Sequence, residues 1–177
     1  MARWIIDPDH SCAAFAIRHF GLAHVRGQFN SIQGTIHYEP ADGTLTTVEV
    51  EINVAAMTTG NKNRDEHLMT EDFFDRNRYP SIKFKSDCVE FLENNRCRVT
   101  GELTLHGTME KVSLEGEYSG PWGNPFGDET SIGFTGSTTI NREEFGMMWG
   151  SEAMKGGGLV AGREVLLYLD VEADLAE

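Results

Sequence analysis

Cysteine is scarce in this chain: Cys12, Cys88 and Cys97 are all it has. Three thiols fit neither a C-x-x-C pair nor a Cys/His metal spacing, which excludes a disulfide framework and a structural zinc site as the organising principle. Two of them could pair in an oxidising compartment; reduced, buried thiols are the expected state. Positive charge is scarce too, with 15 Lys+Arg against 28 Asp+Glu and a formal net charge of −13. Nucleic acids and anionic membrane surfaces select clustered cations, so no nucleic-acid partner is expected. Long apolar runs are missing: no stretch approaches the roughly 18 residues of a membrane-spanning helix, so no integral membrane segment is expected. Met1-Ala2-Arg3-Trp4 leads straight into patterned sequence without an apolar signal stretch. The expected location is therefore cytoplasmic, or periplasmic or secreted if a signal has been trimmed. The six histidines form no H-x-H or H-x-x-x-H with a neighbouring acid, so neither a metal nor a cofactor is expected.

What is present is alternation of period two. Val48, Val50, Ile52 and Val54 alternate with Glu49, Glu51 and Asn53, the pattern of a half-buried strand. Cys97, Val99, Leu103 and Leu105 do the same, as do Val112 and Leu114, Ile132 and Phe134, and Val165, Leu167, Leu169 and Val171. Between His24 and Tyr38 the apolar parity switches, which predicts a bulge or bend near Asn30–Gln33. Turn signals at Asp42-Gly43, Asn94-Asn95 and His106-Gly107 separate the runs. Mid-strand glycines at 27, 34, 101, 116 and 136 suit strong bending. The fold class is all-β: about eight antiparallel strands in a closed barrel or sandwich, one domain over residues 1–177.

Helical patterning is confined to two places. Asn61 or Asn63 can cap a short helix through Leu68–Met69, with Thr70 capping a further turn and Pro80 ending it. Met69 and Phe73 then share a face, flanked by Leu68 and Phe74. A second helical stretch is expected over Arg142–Lys155, stopping at Gly156. The adjacent Arg64, Asp65, Glu66 and His67 invite a catalytic reading, but neighbouring helix residues point in different directions and cannot converge on one substrate. Capping and anchoring are the better roles, with Arg64 reaching a strand-end carbonyl or carboxylate. His10-Ser11 beside Asp7 and Asp9 has no nucleophile elbow around it; the two aspartates are expected to shape the turn at Pro8.

Several ordered motifs are together specific. Trp4-Ile5-Ile6-Asp7-Pro8-Asp9-His10-Ser11, Phe15-Ala16-Ile17-Arg18-His19 and Val25-Arg26-Gly27-Gln28-Phe29 open the chain. Arg64-Asp65-Glu66-His67-Leu68 and Tyr79-Pro80-Ser81-Ile82-Lys83-Phe84 follow, then Leu103-Thr104-Leu105-His106-Gly107 and Ile140-Asn141-Arg142-Glu143-Glu144-Phe145-Gly146. Along essentially its whole length the chain resembles the YceI-like family of polyisoprenoid-binding proteins. The resemblance implies an extended lipocalin-like antiparallel β-barrel with a short helical insert and an apolar pore. It also implies a homodimer and a long apolar lipid partner, a polyisoprenoid or isoprenoid quinone, bound without catalysis. The chain departs from the family pattern at Thr108-Met109-Glu110-Lys111 and at Gly162-Arg163, both expected in loops outside the barrel interior.

Taken alone, the aromatic and aliphatic set could simply fill a core. The resemblance turns it into a pore lining made of Phe15, Ile17, Phe29 and Ile36 from the early strands and Phe84 and Phe134 from later ones. The helical segments contribute Leu68, Met69, Phe73 and Phe74, then Phe145 and Trp149. His19, at the end of a strand face, is placed at the mouth. Two alternatives stay open: a small-molecule hydrolase or isomerase using His19 or His67 as base, and a structural module whose cavity is incidental.

Overall fold

The computed structural model describes every residue except 42, 156 and 177, and only the backbone of Leu45 and Thr46. The expected Asp42-Gly43 turn and Gly156 helix stop therefore lie partly outside the described residues. Three staves of the barrel are each built from two strands laid end to end. Strands β1 (Arg3–Ile6) and β2 (Cys12–His19) both run along the last strand, Trp4 opposite Leu175, Cys12 opposite Asp170 and His19 opposite Ala161. Strands β3 (Ala23–Phe29) and β4 (Ile32–Glu39) form the second stave, broken at Asn30 and Ser31 within the predicted bend. Strands β5 (Thr44–Asn53) and β6 (Met57–Thr58) form the third, separated by a single 3-10 turn whose cap is Asn53 accepting from the Ala55 amide.

Helix α1 (Lys62–Leu68) follows, and then β7 (Ser81–Phe91), β8 (Arg96–Leu105), β9 (Thr108–Gly123), β10 (Thr130–Asn141) and β11 (Ala161–Leu175). Every pairing is antiparallel, and β11 closes the sheet on β1 and β2. Eleven segments, three pairs of them sharing a stave, give a closed eight-stave barrel with a single short α-helix among the described residues. No helix among the described residues is long and apolar enough to cross a membrane.

The sequence pattern explains the shape. On β8, Cys97, Val99, Leu103 and Leu105 are buried while their neighbours are less so, the signature of a strand with one face inward. Glycine lets the wall curve tightly. A Cβ on Gly101 would lie 2.2 Å from the Lys85 carbonyl oxygen, and one on Gly27 would lie 2.4 Å from the Phe15 ring. Gly27 is the cross-strand partner of Phe15, so its bare backbone gives that ring its place.

Two apolar clusters lie at different heights. One, around Trp4, Ile6, Ile32, Ile36 and Ala173, lies toward the end where β4 meets β5. The other, around Phe15, Phe29, Val54, Ile82, Leu105 and Phe145, lies toward the end that carries α1.

Two helical expectations fail. The second stretch forms only a 3-10 turn over Arg142–Phe145, because Gly146 adopts a left-handed conformation (φ 77°) and stops propagation. After α1 the chain makes turns rather than a second helical turn: the Thr70 hydroxyl donates back to the His67 carbonyl (2.7 Å) instead of capping forward. The thiols also differ from expectation: all three are free, but only Cys97 is buried and Cys88 is exposed on β7. The two segments expected in loops are strand instead, Thr108–Lys111 opening β9 and Gly162-Arg163 lying near the start of β11.

Candidate functional site

The inward faces of the staves do not meet. They enclose a cavity of about 400 Å³ that reaches from the α1 end past the barrel's waist to Tyr38, Phe91 and Tyr118. An eight-strand barrel has room for one such ligand-sized space. Its wall is made by the alternating apolar positions: Val48, Val50 and Ile52 of β5, Val99 and Leu103 of β8, and Val165, Leu167, Leu169 and Val171 of β11.

Of the residues singled out from sequence, Phe15, Ile17, His19, Phe29, Ile36, Leu68, Phe73, Phe74, Phe84, Phe134 and Trp149 all lie on this wall. Met69 and Phe145 do not. The helix ends at Met69, so the shared face with Phe73 does not exist, and Met69 packs from outside against the apolar cluster. Phe145, 1% exposed, sits in the 3-10 turn inside that cluster, and its carbonyl accepts from His106 Nδ1 (3.1 Å). Phe15, Phe29 and Phe74 form a connected group of rings, with Phe29 and Phe74 edge to face at 5.6 Å.

The helical insert is fastened by polar bonds. Asn61 caps α1 by accepting from the Arg64 amide (3.1 Å). Arg64 donates from Nε to the Thr59 hydroxyl (2.8 Å) and from Nη2 to the Thr59 carbonyl (3.0 Å), just past the end of β6. Asp65 accepts from the Thr59 amide (2.9 Å) and from the Thr58 and Thr59 hydroxyls. Burial alone would push the Asp65 carboxyl up; those donors and the Arg64 charge outweigh it and hold the carboxyl below its ordinary value. Glu66 is exposed and lies 3.9 Å from Lys62. His67 bonds Asp72 through Nε2 (2.8 Å), and its ring meets Phe73 and Trp149 edge to face at 5.2 and 4.9 Å. The four adjacent residues therefore do four separate jobs.

Arg142 was not recognised as a site residue in the sequence, although it stands in one of the quoted motifs. It is 2% exposed and lines the cavity. Its Nε donates to the Gly162 carbonyl (2.7 Å), Nη1 to the Met147 carbonyl, and Nη2 to the Ala161 carbonyl (3.0 Å) and the Ser151 hydroxyl (3.1 Å). It buckles the connection between β10 and β11 to the barrel end. Burial pushes its guanidinium below the usual arginine range, opposed by nearby Glu143. The opposite end of the cavity is lined by rings: Phe91 meets Tyr38 at 5.9 Å and Tyr118 at 5.0 Å. These were likewise missed, since three aromatics on three strands share no sequence spacing.

The serine and aspartates of the opening motif are structural. Ser11 bonds the Glu172 backbone both ways, donating to its carbonyl (3.2 Å) and accepting from its amide (3.0 Å). Asp7 accepts from the Asp9 amide (2.8 Å) and binds His10 Nδ1, shaping the turn as expected. Glu172 comes close enough that Asp7, His10 and Glu172 have ligand-capable atoms within 4.8 Å of one another, a grouping that sequence spacing could not reveal because Glu172 arrives on β11.

Comparison with known proteins agrees with this architecture. The family model of the YceI-like domain matches residues 4–173. A UPF0312 protein of Vibrio cholerae is 31% identical over 148 residues, 82% of this chain and 78% of the relative. One of Pseudomonas syringae is 32% identical, over 82% and 77%. Among solved structures, the Campylobacter jejuni YceI protein superposes with a TM-score of 0.76 at 28% identity, covering 90% of each chain. Burkholderia cenocepacia BcnA gives 0.80 at 21% identity, over 94% of this chain and 98% of that one. A polyisoprenoid-binding domain from Saccharophagus degradans gives 0.72 at 14% identity, over 98% of both, and at that identity supports the fold alone.

Proposed function

The chain belongs to the YceI-like domain family, and from that premise we propose that it binds a long-chain apolar lipid of the isoprenoid kind in its barrel, as a carrier or store rather than an enzyme. The observation that carries this reading is the cavity itself: about 400 Å³ of space inside a closed barrel, walled along its length by aliphatic and aromatic side chains. Such a wall solvates an apolar chain along most of its length. Burying a prenyl tail there contributes roughly 25 cal/mol per Å² of apolar surface, less the cost of ordering it. Neither histidine of the enzymatic alternative has a nucleophilic side chain among its ring contacts in the described residues. His67 is engaged by Asp72 and flanked by two rings, and His19 is exposed and packed on Phe20 at 4.0 Å. The decisive measurement is native mass spectrometry of the purified protein with lipid extraction, repeated after adding geranylgeraniol. A bound isoprenoid adduct is expected; a protein that purifies empty and gains neither mass nor thermal stability from the added lipid would sink the reading.

A further inference from the structure

The charge inside the cavity is opposite in sign to the charge of the protein. Acids outnumber Lys and Arg by 28 to 15 over the chain. Yet among the described residues the cavity wall holds three arginines (Arg18, Arg64 and Arg142), two histidines and no aspartate or glutamate. All five lie at one end. Arg18 and His19 end β2, Arg64 and His67 stand on α1, and Arg142 follows β10.

The acids nearest in sequence hydrogen-bond none of the three arginines among the described residues, although Asp65 and Glu143 lie near enough to feel the charges of Arg64 and Arg142. Asp65 is held by Thr58 and Thr59, Asp72 by His67, and Glu143 by Arg163 at 3.0 Å. Among the described residues these three arginines hydrogen-bond only to uncharged oxygens. Arg18 uses Nη1 on the carbonyls of Gly21 and Leu22, Arg64 spends Nε and Nη2 on Thr59, and Arg142 donates to three carbonyls and a hydroxyl. Guanidinium groups at the edge of an apolar cavity that hydrogen-bond no carboxylate attract an anion there. Arg18 and Arg64 keep donors available for one, in the fork geometry that matches phosphate and carboxylate oxygens.

We propose that this end of the cavity is an anion-receiving mouth, and that the lipid taken by the barrel carries an acidic head group. Arg18 and Arg64 contact that group, a phosphate or a carboxylate, and Arg142 adds a buried positive charge at the same end. The tail then runs toward Tyr38, Phe91 and Tyr118. This assignment rests on the lipid-binding reading and narrows it, disfavouring neutral quinones and alcohols.

The test compares chain-matched ligands at low salt: geranylgeranyl phosphate against geranylgeraniol, and palmitate against hexadecanol, followed through the fluorescence of Trp149 and by thermal shift. Each anion is expected to bind about tenfold or more tightly than its alcohol, the order of one charge-assisted hydrogen bond. The advantage should shrink as salt is raised. The pair showing the larger advantage assigns phosphate or carboxylate. In Arg18→Gln, which keeps the fastenings of the insert, the anion should lose most of that advantage while the alcohol loses little. In Arg64→Gln, which also loosens the insert, the ratio of anion to alcohol binding should fall even where both weaken, a readout that merely loosening the insert would not give. Equal binding of anion and alcohol overturns the acidic head group and leaves the lipid reading standing. Failure of all four ligands to bind overturns the lipid reading, and this assignment with it.

Discussion

The two ends of the barrel are finished with different chemistry. At the α1 end, the insert and the β10–β11 connection are tied to strand ends by Arg64, Asp65 and Arg142, through hydrogen bonds to backbone and threonine oxygens and amides. At the other end, side-chain rings from β4, β7 and β9 meet one another. Directional bonds fix a loop in one place and leave charge beside the cavity; ring contacts exclude water but tolerate sliding. One end is thus suited to position a polar group and the other to surround the end of an apolar chain.

The sharpest way to break this comparison is to cut one fastening at each end. Arg142→Met removes four hydrogen bonds and leaves buried carbonyls without donors, and should cost about 3–5 kcal/mol by urea denaturation. Phe91→Ala removes a ring that is 38% exposed, and should cost about 1–2 kcal/mol. Equal losses would mean that the ends are not built differently.

The next effect concerns the space between the ends. Phe84 and Phe134 line the cavity, so Phe84→Trp and Phe134→Trp should leave the melting temperature near that of the parent while reducing lipid uptake. In a filled core the same changes would cost about 1–3 kcal/mol by overpacking. Gly27→Ala is the control: its new methyl meets the Phe15 ring, already in place 2.4 Å away, and a loss of about 1–3 kcal/mol is expected even though the added group is small.

How much of this was legible in the sequence depended on whether a feature was local. Period two exposed the inner faces of β5, β8 and β11 because alternation is a property of a strand by itself. Asn61 as cap and Arg64 as anchor were readable for the same reason. Met69 and Phe145 were misplaced because their surroundings depend on where a helix stops. Gly146 stops the second at one turn, and the back-bonding of Thr70 ends the first. Arg142, Glu172 and the Tyr38–Phe91–Tyr118 rings could not be read at all. Glu172 and the rings meet their partners from strands distant in sequence, brought together by barrel closure, and Arg142 meets its own through the irregular course of the β10–β11 connection, which has no sequence period.

A smaller effect probes the ring-lined end. Cys97 sits opposite Phe91 in register, is buried, and lines the cavity; burial pushes its thiol up to about 11. Cys88 is exposed on β7. At pH 8 a thiol-reactive disulfide reagent should label Cys88 in the native protein and leave Cys97 untouched until denaturant is added. Rapid native labelling of Cys97 would show that the rings open often enough to admit solvent.

The smallest effect belongs to neither end but to the break between β1 and β2, where Asp7 binds His10. Burial raises the Asp7 carboxyl, but the bond from His10, the Asp9 amide and the His10 charge outweigh it, so it lies below 3.8 when folded. His10 is held above 6.5 by its hydrogen bond to Asp7 and then by the Asp7 charge. The depressed Asp7 value stabilises the fold above its unfolded pKa and stops doing so as pH falls through the folded one. The raised His10 value stabilises below 6.5 and is lost as pH rises through the folded value. Both contributions coexist between about pH 4 and 6.5. Because His10 is fully solvated, water and salt screen the pair and its contribution is small. The urea midpoint of the parent minus that of His10→Asn should therefore be greatest near pH 5.5 and smaller at pH 8.5, and a difference that stays flat across this range would mean that the pair shapes the turn without stabilising it.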